Sequence, residues 1–211
     1  AITAGSQGEQ LAALGAMRQA GAVGFSDDGR LVMNAQILRR ALEYASMLGA
    51  LVIEHDEDLH LSAGGTMHAG PVALRLGLRG ISGASEAAMV ARDLLLAEES
   101  GAHIHIAHLS TAASVRLLRD AKARGVRATA EVTPHHLVLS DEDMAPYDTN
   151  FKMNPPLRSA ADRTAVLEAL ADGTIDAIAT DHAPHAPHEK QQEFDRAPFG
   201  IIGLEPALPL G

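Results

Sequence analysis

A chain of 211 residues with a formal charge of −10 and 46% hydrophobic residues is long enough for one sizeable domain, yet short of the ~250 residues of a complete eight-stranded α/β barrel. The charge argues against nucleic acid and anionic membranes as partners, and 3% aromatics against a base-stacking platform; with no cysteine, any zinc must be held by histidine and carboxylate. No apolar run nears the ~20 residues of a membrane span and no secretory leader is visible, so the expected location is cytoplasmic, and a start at Ala1 rather than Met reads as a fragment.

Ile2 and Thr3 read as the tail of a strand. Residues 7–19 read as a helix with the stripe Leu11, Leu14, Met17 and a stop at Gly21. A short strand over 22–26 runs into Asp27-Asp28-Gly29, where the acidic pair is either turn chemistry or a metal ligand. A helix is predicted over 34–48, closed by Gly49, and a strand over 50–54. That strand delivers Glu54-His55-Asp56-Glu57-Asp58, read either as a solvated acidic loop with an incidental histidine or as a ligand-bearing strand end. Ser85 is the candidate N-cap of a helix to Ser100, with Gly101 as its stop and Val90, Leu94 and Ala97 facing the sheet.

Residues 103–107 form the next predicted strand, followed by His108. Alternation puts Ile104, Ile106 and His108 on one side and His103 and His105 on the other. With the isoleucines filling a barrel interior, His108 points inward at the rim and His103 and His105 are packed structural residues. Ser110 is expected to cap a helix to Arg124. A strand over 127–132 leads into Thr133-Pro134-His135-His136-Leu137. Ser140 to Leu157 is irregular, Pro155 and Pro156 opposing a regular element. Ser159 and Asp162 open the last helix in capping-box style. The apolar run 175–179 reads as a buried strand delivering Thr180-Asp181-His182-Ala183-Pro184-His185. The acid there caps the next segment, or holds a metal, takes a proton, or does both. Residues 183–199, rich in proline, histidine and charge, read as a mobile lid ordered by substrate.

Alternating strands and helices imply a parallel sheet covered by helices. Ligand-type residues fall at four strand ends: Asp28, His55, His108 and Asp181. In an open sheet the first and last of these lie far apart; in a barrel they converge on one mouth. The expected fold is therefore an α/β, TIM-like (β/α)8 metal-dependent hydrolase barrel, partial in this chain. It forms one catalytic domain over 1–211, incomplete at the N-terminus and at the C-terminus. Two imidazoles and two carboxylates suit zinc or a similar divalent ion. A carboxylate beside such an ion can move a proton during amide hydrolysis.

The segments Gly24 to Gly29, Glu54 to Asp58, Ile106 to Thr111, Glu131 to Leu137, Lys152 to Arg158 and Thr180 to His185, with Ala197 to Gly200 and Gly203 to Glu205, resemble in order the motif set of the dihydroorotases. The resemblance spans essentially the whole chain and is nearest the class I bacterial type of the amidohydrolase superfamily. It implies closure of N-carbamoyl-L-aspartate to L-dihydroorotate, with Zn2+ as cofactor: one or two ions, bridged by Asp28. It further implies that His55 and His108 bind the second metal, and that Asp181 binds the first and acts as acid and base. Asn154 and His185 would contact substrate, and Phe199 and Gly200 would offer backbone groups to the pyrimidine ring. Aspartate transcarbamoylase and further copies of the chain are the macromolecular partners implied.

The family's His-x-His-x-Arg strand and its flanking β domain are missing from these residues, so the 211 residues alone are expected to be inactive. Two alternatives stay open. One is another cyclic amidase, such as a hydantoinase or allantoinase; those relatives bridge their metals with a carboxylated lysine, and Lys122, Lys152 and Lys190 all lie away from the strand carrying Asp28. The other is a catalytically dead scaffold for aspartate transcarbamoylase.

Overall fold

The computed structural model describes residues 1–144, 146–205 and 207; Ala145, inside the stretch read as irregular, lies outside them. In chain order the elements are α1 (Leu14–Gln19), β1 (Gly24–Ser26), α2 (Ala35–Met47), β2 (Leu51–Glu54), α3 (Leu59–Ser62), β3 (Met67–His68), α4 (Pro71–Leu76), β4 (Gly80–Ile81), α5 (Gly83–Ser100), β5 (Ile104–Ile106), α6 (Ala112–Ala123), β6 (Ala128–Val132), α7 (Pro134–Val138), α8 (Ala160–Ala171), β7 (Ala177–Ile178) and α9 (Pro187–Lys190). Strands β1, β2, β5, β6 and β7 form one parallel sheet in that order. β3 and β4 pair separately, also in parallel. Among the described residues no helix is long and apolar enough to cross a membrane.

The local chemistry explains most boundaries. Asn34 caps α2 through the backbone amides of Gln36 and Ile37, and Ser159 caps α8 through that of Asp162. Two caps differ from the sequence reading. Ser82 rather than Ser85 caps α5, accepting from Ala84, while the Ser85 hydroxyl donates back to the Ser82 carbonyl. Thr111 rather than Ser110 caps α6, accepting from the Ser114 amide, while the buried Glu86 carboxylate takes the hydroxyls of both. The N-terminal helix is also shorter than expected. Thr3 bridges Leu11 in antiparallel fashion, and Gly8 adopts a positive φ, so the helix begins only at Leu14.

Which face of the sheet points where corrects a second expectation. Val52, Ile104, Ile106, Ala128, Ala130 and Val132 are buried against the apolar stripes of the helices, among them Leu38, Leu42, Val90, Leu94, Leu118 and Val166. The isoleucines therefore fill the layer between sheet and helices, not the barrel interior. The opposite face carries Ser26, Leu51, Ile53, His105 and Glu131, which line an open recess. Burying the branched aliphatic side chains against helices removes more apolar surface from water than an open concave face would. His108 nevertheless reaches the recess, as expected, because its own backbone turns to φ 33° at the strand end and breaks the alternation.

β7 is not the buried strand read from its apolar run: Ala177 and Ile178 are both exposed at the edge of the sheet. The segment 183–199 is likewise not a loose lid. Phe194 and Ala197 are buried, Phe194 packing with Met67, Val72, Ala73 and Met144. The Lys152 ammonium donates to the carbonyls of Phe194, Asp195 and Ala197. That of Lys190 donates to those of Thr149 and Pro198. The composition hid these anchors because they are main-chain oxygens.

Candidate metal centre and active site

The C-terminal ends of the strands converge on one recess of about 430 Å3, lined by Ser26, Asp28, Leu51, Ile53, His105, Ala107, His108, Glu131 and Asp181. Alternation along β1 sends Phe25 and Asp27 toward the core side and Ser26 and Asp28 toward the recess. Asp27 is buried and accepts from the amides of Ile2 and Thr3 and from the Thr3 hydroxyl. It anchors the N-terminal segment and leaves Asp28 alone to face the histidines.

Asp28, His55 and His108 each offer a donor atom within 4.8 Å of the others. His55 Nδ1 and His108 Nε2 lie 2.8 Å apart, and the Asp28 Oδ1 is 3.9 and 3.8 Å from them. Two buried imidazole nitrogens facing each other beside a carboxylate need a cation, or a shared proton, between them. The donor set of two imidazoles and a carboxylate fits a divalent ion of the zinc class.

The electrostatics agree. The His108 imidazole facing it holds the Asp28 carboxyl below its ordinary range. Burial opposes charge on His108, but the facing Asp28 carboxylate and the charge of Asp181 outweigh that and raise its pKa. Asp181, at the end of β7 with φ 41°, is pushed up, chiefly by burial.

Behind the ligands lie residues the sequence reading left unassigned. Glu57 Oε2 receives His55 Nε2 at 3.2 Å and Asn154 Nδ2 at 2.9 Å. Burial works to raise its pKa, but hydrogen bonds from His55, Asn154 and Ser62 hold it at about 2. His105 bridges Thr129 at 2.8 Å and Glu131 at 3.1 Å. It is satisfied, as expected of a structural histidine, yet it faces the recess. Thr129 and Glu131 alternate with Ala128, Ala130 and Val132 along β6; that alternation put Glu131 on the polar face of the strand but did not say that this face lines the mouth. Glu54, Asp56 and Asp93 form a buried acidic group with Arg92, and burial pushes the Glu54 and Asp56 carboxyls well up.

The other expected contacts form a second group. His185 Nε2 donates to the Phe199 carbonyl at 2.8 Å. His185 and Gly200 line a neighbouring cavity of about 290 Å3 with Leu139, Asn150, Phe151, Ala183, Lys190, Ile201 and Ile202. A Cβ at Gly200 would sit 2.8 Å from the His185 ring, so only glycine fits there. The Phe199 ring lies under the Lys152 ammonium, 4.6 Å from its centroid. Asn154 joins the metal-side group through Glu57; His185, Phe199 and Gly200 do not line the recess at Asp28.

His135 and His136 are both buried; the ring nitrogens of His135 have no hydrogen-bond partner among the described residues, whereas those of His136 do. His136 Nε2 donates to the Pro155 carbonyl at 3.1 Å, and its Nδ1 lies 2.7 Å from the Thr133 hydroxyl. Burial, with His108 nearby, lowers its pKa to about 4. An unfolded imidazole titrates near 6.5, so between those pH values the unfolded chain holds the additional proton and stability falls on acidification. Urea titrations should show the wild type losing about 3 kcal/mol more than His136→Gln between pH 6.5 and pH 4. Parallel pH profiles for the two proteins would contradict the assignment.

A parallel sheet backed by helices, with a histidine–carboxylate cluster at its C-terminal mouth, defines part of a TIM-like barrel of the amidohydrolase kind. The family description "Dihydro-orotase-like" matches residues 1–114. Curated proteins named dihydroorotase are 65% identical in Pelotomaculum thermopropionicum and 59% identical in Solibacter usitatus, each over the whole of this chain and 49% of their own length. Among solved structures, the L-hydantoinase (dihydropyrimidinase) of Arthrobacter aurescens superposes with a TM-score of 0.79 at 25% identity, covering 93% of this chain and 47% of that one. The chain belongs to the dihydro-orotase-like family, and it spans about half the length of the curated relatives it matches.

Proposed function

We infer that the protein is a dihydroorotase, closing N-carbamoyl-L-aspartate to L-dihydroorotate and reopening it. The observation that carries this reading is the meeting of Asp28, His55, His108 and Asp181 at one recess. The names of the close relatives supply the substrate class. His55, His108 and Asp28 would hold one zinc ion, and Asp28 and Asp181 would be available to a further one. Zinc, when bound, supplies Lewis acidity that polarises a carbonyl and acidifies water.

The protein's own groups do the rest. Asp181, its carboxyl raised by burial, takes a proton from the attacking water and returns it to the leaving nitrogen during ring opening. In the closing direction it moves the proton the other way. Asn154 presents an amide to the polar edge of the ring. On this reading His185 would meet the substrate carboxylate and the backbone of Phe199 and Gly200 would border the ring, although none of the three lines the recess at Asp28. The lysine bridge expected of a hydantoinase has no candidate at β1. Lys122 pairs with Asp176 at 2.7 Å, and Lys152 and Lys190 bind carbonyls.

The intact protein should hydrolyse dihydroorotate, lose at least ~100-fold in rate on chelation, and recover with zinc. Preferential turnover of hydantoin would overturn the substrate assignment. Full activity after complete metal removal would overturn the metal role.

A further inference from the structure

The Glu57 carboxylate touches both halves of the site through a single oxygen. Its Oε2 lies 3.2 Å from His55 Nε2 and 2.9 Å from Asn154 Nδ2. A carboxylate at that position only accepts, so both neighbours must turn a donor toward it. For His55, a proton on Nε2 leaves Nδ1 as the lone pair, and Nδ1 is the atom that faces His108 at 2.8 Å and Asp28 at 3.9 Å. For Asn154, the amide nitrogen must face Glu57, which turns the carbonyl oxygen away from it. The side chain of Glu57 is itself held in place, largely buried in the loop that leads into α3.

We propose that Glu57 is a positioning residue that fixes, at once, the tautomer of His55 and the amide orientation of Asn154. It thereby couples metal capture to the recognition of a ring N–H by the Asn154 carbonyl. This rests on the dihydroorotase reading, in which His55 is a ligand and Asn154 meets substrate. Orienting carboxylates behind a metal-binding histidine are worth ~10–100-fold in metal affinity or activity.

The test uses the intact protein and three readouts: zinc affinity by chelator competition, the separate values of kcat and KM for dihydroorotate, and the His55 tautomer by nitrogen-15 NMR of the zinc-free protein. Glu57→Ala should weaken zinc ~10–100-fold, raise KM, and convert His55 from a pure Nε2–H form to a mixture. Asn154→Ala should raise KM and leave zinc affinity unchanged. The two KM effects should combine less than multiplicatively, since the second change removes a group the first has already released. Glu57→Gln, whose side-chain oxygen still accepts, should recover most of the zinc affinity, which a merely destabilised fold would not. His55→Ala separates the two levels. If it keeps zinc, the metal assignment itself fails. If it loses zinc while Glu57→Ala retains both wild-type affinity and the Nε2–H tautomer, the metal assignment stands and Glu57 is not a positioning residue.

Discussion

Replacing Asp181 with asparagine in the intact protein should lower dihydroorotate turnover by about 10^2–10^4-fold while most of the bound metal is retained. The two properties separate because the carboxyl has two duties. An amide oxygen still offers a weak ligand, but it neither accepts nor releases a proton near neutral pH. The position suits the duty: burial raises the Asp181 pKa toward the range where a group both takes and gives protons. Its backbone sits at φ 41°, a region that costs a non-glycine residue free energy and that gathers at functional sites. Turnover and metal content of the purified variant decide the matter. Near-wild-type turnover by Asp181→Asn would remove Asp181 from the chemistry.

The neighbouring acids of β1 should fail in opposite ways. Asp28→Ala should lose metal with little change in unfolding free energy, because its side chain is largely exposed and its partners are the two histidines. Asp27→Ala should keep its metal-binding capacity per folded molecule but lose about 3 kcal/mol of stability. It would leave the buried amides of Ile2 and Thr3 and the Thr3 hydroxyl without their acceptor. Metal-to-protein ratio and urea unfolding, measured side by side, test both halves. Greater metal loss from Asp27→Ala at equal folded fraction would reverse the assignment.

Much of this was legible in the residues, and the pattern of what was not has physical causes. β1, β2, β5 and β6 announce themselves as short apolar or alternating stretches preceded by a glycine stop, and Asp28, His55 and His108 follow the first three. The two-residue strands β3 and β4 carry no period to read, so the small sheet between β2 and α5 was invisible. Periodicity gives the two faces of a strand but not which one is inside. With isoleucines at 104 and 106 and histidines at 103 and 105, the choice depends on the helices that cover the sheet. That is why His105 and Glu131 were misplaced or overlooked while Asp28 and His55 were not. Glu57 lay two residues beyond a candidate ligand in an acidic run, where nothing in the spacing marks it from Asp56 and Asp58; only the approach of Asn154 from a distant loop does so.

The two ammonium groups that hold residues 183–199 grip carbonyl oxygens. A main-chain oxygen is present whatever the residue. The path of this segment past Phe199 and Gly200 is therefore largely independent of the side chains it displays, apart from its own Lys190, the buried Phe194 and Ala197 and the close-packed Gly200. Its remaining positions form a surface on which residues can be exchanged without moving the backbone beneath them. That makes the segment a natural place to graft altered ring selectivity onto a fixed scaffold, provided that such a library leaves alone Lys152, Lys190 and the packed Phe194, Ala197 and Gly200.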